Sequence, residues 1–250
     1  MRVARAAFRR LSGGFRYRIC VDSTPLAERS FAAAAGLGWI GKNGLLIDPE
    51  NGSYLLLAEI LTDLDLPADD PIAERCGSCN RCLTACPTDA FLEPGLLDAS
   101  RCLAYWTIEH RGPLPDAVKE KIGDNVFGCD ICQEVCPWNP PLAARAADPP
   151  KPFVALAKEG RRRARAEEGR SEPLPTRREW LEMGPGQWRR RYGATALNRA
   201  GRRGVQRNAA ASAGSVGDRG VLPTLPRAAS LAEPGLADAA AWASRRLRFP

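Results

Sequence analysis

The stretch CGSCNRCLTACPTDAF, residues 76–91, places four cysteines within eleven positions and follows the last of them with a proline. Two residues lie between each successive pair of the first three cysteines, and three residues lie between the third cysteine and the fourth. This spacing is typical of bacterial ferredoxins, in which three close thiolates bind one iron–sulfur cluster and the cysteine before the proline binds another. One such run therefore predicts a second run elsewhere in the chain.

The sequence GCDICQEVCPWN, residues 128–139, repeats the ending of the first run, and Cys102 stands between the two. If each cysteine that precedes a proline serves the opposite cluster, eight thiolates complete two 4Fe-4S sites. The first site is predicted to comprise Cys76, Cys79, Cys82 and Cys136, and the second Cys86, Cys102, Cys129 and Cys132.

Structural zinc and a disulfide framework are the alternatives, since zinc sites also contain paired C-x2-C motifs. Zinc does not require this spacing before a proline, and the first residues show no secretory signal that would lead to an oxidising compartment. We therefore predict two clusters. Cys20 is left over, and its apolar surroundings in YRICV (residues 17–21) favour a small buried residue over a nucleophile.

The 250 residues are enough for one large or two modest domains, and the charge of +7 is unevenly placed. Residues 141–250 contain 22 Lys and Arg against 10 Asp and Glu, whereas the first 140 residues contain 14 against 19. An acidic part with the cysteines and a basic part indicate redox chemistry in one and polyanion binding in the other. The alternative is that the arginines only cover solvated helix faces.

No apolar run approaches the roughly 18 residues of a membrane span, so a soluble cytoplasmic protein is expected.

Local signals predict the secondary structure. PLAERSFAAAAG (25–36) is expected to be a helix with Thr24 as N-cap, Pro25 at its first position and Gly36 after its end. Residues 45–47 and 53–61 are expected to be paired strands, because turn residues separate them. Helices at 205–214 and 236–245 are weakly alike at a separation of 31 residues, as in a short HEAT-like array.

Together these signals predict an α+β/α fold class with four parts: a mixed domain, a ferredoxin-like two-cluster domain, a proline-rich linker and a helical HEAT-like region. Their predicted bounds are 1–65, 66–140, 141–152 and 153–250.

Two other features invite assignments that the sequence does not support. The segment Gly36 to Gly41 matches G-x-G-x-x-G, but a dinucleotide site needs a strand before it and a helix after it, and here the order is reversed. The glycines would instead let the backbone approach something flat or bulky, with Trp39 and Lys42 beside it, unless they form an ordinary turn. His110 is the only histidine, which excludes a two-histidine metal site.

The residues resemble one family in particular. VDSTPLAERSFAAAAGLGWIGKNGLLI (21–47), AEILTDL (58–64), the eight cysteines and CLAYWTIEHRG (102–112) are closely similar to epoxyqueuosine reductases. The resemblance runs from about residue 16 to 140 and is looser in the helical region. It implies a reductase domain that holds cobalamin base-off, two 4Fe-4S clusters that supply electrons, and reduction of epoxyqueuosine to queuosine at the wobble position of tRNA.

The resemblance also implies roles for single residues. Asp22 matches the position that the family uses as general acid, although an aspartate in D-S-T-P is more often a turn residue that bonds the start of a helix. Cobalamin is expected to lie against Lys42, Asn43 and Leu46, and beside Ala104, where the family often has serine. The tRNA-binding residues are expected to be Arg111, Arg189, Arg190 and Arg191, with further phosphate contacts from the arginines at 161–163, 177–178 and 202–203.

The family places a long part of the reductase domain before the first residue of this chain. Cluster binding is therefore expected here, whereas cobalamin binding is expected to need that part. A monomer and an external low-potential electron donor are expected. The alternative functions are a corrinoid reductive dehalogenase, which would not need a basic helical region, and a two-cluster electron carrier, which would need neither the GLGWIGKN segment nor Asp22.

Overall fold

A computed structural model describes residues 15–22, 24–139 and 174–249, and these residues form two compact units. The first unit contains the described residues up to 84, with 93–96 and 132–139. The second contains 85–92, 97–131 and 174–249. The predicted linker at 141–152 lies outside the described residues.

Short antiparallel strand pairs organise the first unit. β1 pairs with β4, with Cys20 opposite Glu59, and β2 pairs with β3, with Trp39 opposite Ile47. Cys20, Trp39 and Ile47 are buried, as expected for Cys20. The elements up to residue 84 are β1 (Tyr17–Cys20), α1 (Glu28–Ala34), β2 (Trp39–Ile40), β3 (Leu46–Ile47), β4 (Glu59–Thr62) and α2 (Arg81–Thr84).

The predicted pairing of residues 45–47 with 53–61 is wrong. The turn after β3 closes on itself, because Asp48 Oδ1 accepts hydrogen bonds from the backbone N–H groups of Glu50 and Asn51 and Asp48 bridges to Gly52. The chain then forms no strand until β4, which pairs with β1 instead. β3 therefore pairs with the strand before it, β2, and β4 pairs with β1, so the turn between residues 47 and 53 does not join two paired strands.

The predicted helix at 25–35 is present but shorter. α1 begins at Glu28, and its N-cap, Ala27, makes no side-chain capping bond, so Thr24 is not the cap. Gly36 follows the helix with a φ of +67°, as expected of a residue that ends a helix in the left-handed region.

The remaining short elements follow α2 along the chain. A two-stranded sheet is followed by a 3₁₀ turn, a π-helical turn and two short helices. They are β5 (Phe91–Glu93), β6 (Leu96–Leu97), the 3₁₀ turn Ala99–Arg101, the π-helix Tyr105–Glu109, α3 (Asp116–Lys121) and α4 (Ile131–Glu134).

The C-terminal part of the second unit is helical, and both predicted helices, 205–214 and 236–245, are confirmed within longer ones. α7 and α9 approach closely, since a Cβ on Gly214 would lie 2.4 Å from the Trp242 ring. The elements are α5 (Arg177–Glu182), α6 (Pro185–Tyr192), the 3₁₀ turn Ala196–Arg199, α7 (Gly201–Val216), the 3₁₀ turn Arg219–Val221, α8 (Leu225–Ala229) and α9 (Pro234–Arg248). Within the described ranges, no helix is long and apolar enough to cross a membrane.

The apolar core of the second unit joins these helices to the cysteine-bearing segment. Leu103 and Ile122 are buried with residues of α7 and α9, and Cys129 packs against the same cluster. The loops that carry Cys102 and Cys129 therefore rest on a helical scaffold.

Candidate iron–sulfur centres

The first centre lies wholly in the first unit. Cys76, Cys79, Cys82 and Cys136 line one cavity together with Lys42 and Trp138. The first three come from the first cysteine run and the fourth from the second run, which is the combination that the spacing predicts.

Asn139 attaches the segment of Cys136 to the rest of the unit. It is buried, its Oδ1 accepts from the Ser53 N–H at 2.7 Å, and its Nδ2 donates to Ser53 Oγ at 2.9 Å and to the Gln133 carbonyl at 2.7 Å. Gly52 permits this approach, because a Cβ there would lie 2.1 Å from Asn139 Oδ1. These contacts fix the fourth thiol in position although it is remote in sequence.

Lys42 holds the loop that carries the other three thiols. Its Nζ donates to the Gly77 carbonyl at 2.7 Å and to Asn80 Oδ1 at 2.9 Å. The side chain of Lys42 is thus committed to the cluster loop, while its predicted contact with cobalamin stays a prediction.

The pKa values of two thiols at this centre, those of Cys76 and Cys82, are raised, so a positively charged occupant would favour their ionised form. Burial raises the pKa of the Cys82 thiol, and the neighbouring Cys136 and Cys76 raise it further. Iron favours the thiolate form over this burial cost, since coordination is made to the deprotonated sulfur. Four half-buried thiols around one cavity fit a 4Fe-4S cluster in ligand type and number.

Three of the four ligands predicted for the second centre come together in the second unit. Burial raises the pKa of the Cys129 thiol, and the adjacent Cys102 and Cys86 contribute in the same direction. Cys86 Sγ accepts a hydrogen bond from the Ala90 N–H at 3.3 Å. The fourth predicted ligand, Cys132, lies on α4 immediately after the boundary between the units, and its role stays a prediction.

Polar residues of α7 hold the loops that carry Cys102 and Cys129. Asn208 Nδ2 donates to the carbonyls of Thr107 and Val126, at 2.7 and 2.8 Å. Arg207 donates to three carbonyls, those of Trp106, His110 and Gly112, and burial lowers its pKa to about 10. Neither role was predicted from sequence, where both residues look like ordinary polar positions of a helix.

The two alternatives to iron–sulfur clusters find no support in the geometry. None of the nine cysteines forms a disulfide, so no disulfide framework is present. Across the ranges described, no group of three or more His, Cys, Asp or Glu is gathered closely enough to hold a single metal ion. Thiols that surround a cubane stand further apart than the ligands of one zinc ion.

Asp22, predicted as general acid, lies just after β1 with an exposed side chain and a φ of +52°. Its carboxylate makes no hydrogen bond to the part of the chain that is described, and α1 begins six residues later without a side-chain cap. The structure therefore places Asp22 where its carboxylate is accessible and does not show it bonding the start of the helix.

The residues predicted to contact cobalamin fall in both units. Asn43 and Leu46 are buried in the first unit, where Asn43 Oδ1 accepts from the Leu45 N–H at 3.2 Å. Leu46 also lines an apolar cavity of about 500 Å³ beside α1 and β4. Ala104 lies in the second unit and is half-buried.

The arginines divide into exposed and engaged groups. Arg189, Arg190 and Arg191 are exposed on α6, and Arg191 stacks over the Tyr192 ring. Arg111 bonds the carbonyls of Ile108 and Arg199 within its own unit. Others expected to meet phosphates are already occupied: Arg177 pairs with Asp124 and Asp218, and Arg202 donates to the Met183 carbonyl. The arginines at 161–163 lie outside the described residues.

Residues 75–139 match the family of 4Fe-4S double cluster binding domains. An epoxyqueuosine reductase of Xanthomonas campestris pv. campestris is 52% identical over 137 residues, which are 55% of this chain and 38% of that protein. One of Lactococcus garvieae is 37% identical over 239 residues, 95% of this chain and 63% of that protein. The chain thus spans less than two thirds of the length of these relatives.

Solved structures give the same match over almost the whole chain. A crystal structure of an epoxyqueuosine reductase with an epoxyqueuosine-modified tRNA-Tyr stem loop superposes with a TM-score of 0.79 at 32% identity, covering 97% of this chain and 60% of that one. A Bacillus subtilis epoxyqueuosine reductase, in which the catalytic aspartate loop is swung out of the active site, gives a TM-score of 0.79 at 30% identity, with 98% and 61% covered.

Proposed function

We propose that this chain, which is related to the epoxyqueuosine reductases over 95% of its length, takes part in reducing epoxyqueuosine to queuosine at the wobble position of tRNA, the last step of queuosine biosynthesis. The observation that carries the proposal is that two separate sets of cluster thiols occur in one chain with an accessible aspartate and an exposed row of arginines. A simple electron carrier needs the cluster thiols but neither the aspartate nor the arginines.

Removal of the epoxide oxygen as water requires two electrons and two protons, and leaves a carbon–carbon double bond. Bound 4Fe-4S clusters supply single electrons, and a bound cobalamin supplies a cobalt that accumulates reducing equivalents. The eight cysteines would hold the clusters, and an external low-potential donor would load them. His110, the only histidine, has its Nε2 3.0 Å from the Pro113 carbonyl, so the chain suits a cobalamin held without a histidine ligand.

Asp22 would supply a proton to the epoxide oxygen as its carbon–oxygen bond breaks. An oxygen that leaves as alkoxide in an apolar pocket is costly, and a positioned acid removes that cost. The accessible position of the carboxylate after β1 supports this role.

The helical part of the second unit would bind the tRNA backbone. Arg189, Arg190 and Arg191 can contact phosphates, which supply affinity without reading the sequence. The packing of α7 against α9 is compatible with a HEAT-like array, and the wobble base would enter the site splayed out of its loop. We propose a monomer that acts in the cytoplasm.

The proposal is tested by incubating anaerobically reconstituted protein with cobalamin, a low-potential reductant and tRNA that contains epoxyqueuosine. Mass spectrometry of the digested nucleosides is expected to show queuosine, one oxygen lighter. Protein with both clusters intact and cobalamin bound that leaves epoxyqueuosine unchanged would contradict the proposal and favour the electron carrier.

A further inference from the structure

The glycines and Trp39 of the GLGWIGKN segment, residues 36–43, have no role in the proposed chemistry, although the glycines resemble a nucleotide-binding loop. The backbone of this segment lies close to β3 of the same unit. A Cβ on Gly38 would lie 2.2 Å from the Ile47 carbonyl oxygen, and one on Gly41 would lie 2.4 Å from Ile47 Cδ1. The glycines therefore let this segment press against β3, and no flat ligand is needed to account for them.

This arrangement brings Trp39 to the first cluster centre. Trp39 is 3% exposed, and its Nε1 is one of only two buried side-chain polar atoms in the described ranges without a hydrogen-bond partner. Its ring packs against Trp138, which lines the same cavity as Cys76. Burial raises the pKa of the Cys76 thiol, and the Lys42 backbone N–H and the Trp39 indole oppose that rise. A buried N–H without an oxygen or nitrogen acceptor needs a compensating partner, and a cluster-bound sulfur is one.

Arg75 strengthens this donor. Its guanidinium lies over the Trp39 ring, 5.9 Å from the centroid, and the edge-on ring of Trp138 lies 4.8 Å away on the same unit. A cation over the face of an indole withdraws electron density from the ring and makes its N–H more positive.

We propose that Trp39 sets the reduction potential of the first cluster by donating its indole N–H to the Cys76 sulfur. This inference rests on the proposed cluster site and goes beyond it by assigning the segment 36–43 to that cluster. Reduction adds negative charge to the cluster and its sulfurs, so an N–H donor stabilises the reduced form more than the oxidised form and raises the potential.

The test is an EPR-monitored redox titration of anaerobically reconstituted Trp39→Phe protein, which keeps the ring and loses the donor. The first cluster is expected to become harder to reduce by on the order of tenfold in equilibrium constant, or about 59 mV for one electron. The second cluster, predicted to be bound by Cys86, Cys102, Cys129 and Cys132, serves as the internal reference and should keep its potential. Trp188→Phe is the matched control, because it changes a buried tryptophan that does not line the cavity of the first cluster.

An unchanged potential of the first cluster in fully loaded Trp39→Phe protein, or an equal shift of both clusters, would overturn the inference. If Trp39→Phe prevents loading of the first cluster, Arg75→Gln carries the test, with a smaller shift expected in the same direction and an unchanged potential counting against it. Wild-type protein that binds no first cluster would contradict the proposed site itself, and would be recognised by missing iron instead of an unshifted potential.

Discussion

Asp22 combines an accessible carboxylate with a left-handed backbone, a conformation that aspartate and asparagine tolerate better than most residues. The position therefore accepts asparagine without backbone strain. A change in activity of an Asp22→Asn protein can therefore be attributed to loss of the proton-donating carboxyl group.

Asp22→Asn is expected to lower turnover about 10²- to 10⁴-fold, the usual contribution of a general acid. Iron content and tRNA affinity should stay unchanged, because the carboxylate bonds no other described residue. Turnover is followed by nucleoside mass spectrometry under single-turnover conditions. Asp65→Asn, at an exposed site of the same unit, is the control, and an Asp22→Asn protein that keeps most of its turnover would return Asp22 to a structural role.

Single residues also show what sequence can predict about the site. The grouping of Cys136 with the three close cysteines of the first run, which line one cavity, was predictable from the ferredoxin-like spacing. The positions of Asn139 and Trp39 were not, since they depend on contacts with Ser53 and Trp138, which are far away in sequence. Polar residues look alike in sequence whether they bond a buried carbonyl or water.

Among the secondary-structure elements, α7 has the most buried residues and the widest set of polar contacts. Gln206, Arg207, Asn208 and Ser212 are all buried on it and bond backbone carbonyls of other segments. The helix itself was predictable from its composition, whereas its function as a clamp was not. The strand pairs were mispredicted because pairing is decided by tertiary contacts, and strands of two to four residues carry little local signal.

Arg207→Met tests the clamp. The substitution keeps an unbranched stem but leaves the carbonyls of Trp106, His110 and Gly112 without their donor. The free energy of unfolding is expected to fall by about 3 kcal/mol, because several buried acceptors lose their partner together. Anaerobic urea denaturation followed by tryptophan fluorescence measures it. Arg203→Met, on the same helix but only partly buried, should cost less than about 1 kcal/mol, and equal effects of the two would argue against the clamp.

At the scale of the whole molecule, charge and redox chemistry separate along the chain. The exposed arginines of α6 lie in the C-terminal part, whereas most of the acidic residues accompany the cysteines. Such a division suits a substrate that is recognised through its phosphates and reacts at one base.

Charge reversal of Arg189, Arg190 and Arg191 to glutamate should weaken tRNA binding about equally for different tRNAs. The slope of log K against log salt should fall by about two to three, as expected for the loss of three phosphate contacts. Fluorescence anisotropy between low and physiological salt measures both quantities. The same reversal at Arg245, Arg246 and Arg248 of α9 controls for net charge, and an identical loss from both triple variants would show that α6 makes no specific contact.

The exchange of cysteines between the two runs is the central claim, and thiol mapping of a Cys86→Ala protein tests it most directly. Wild-type protein should contain about eight irons, and all eight ligand thiols should resist alkylation under anaerobic conditions. In Cys86→Ala protein, mass spectrometry of the alkylated peptides should find Cys102, Cys129 and Cys132 modified, while Cys76, Cys79, Cys82 and Cys136 stay protected. Modification of Cys76, Cys79 and Cys82 with protection of Cys129 would show that each run binds its own cluster and would contradict the account.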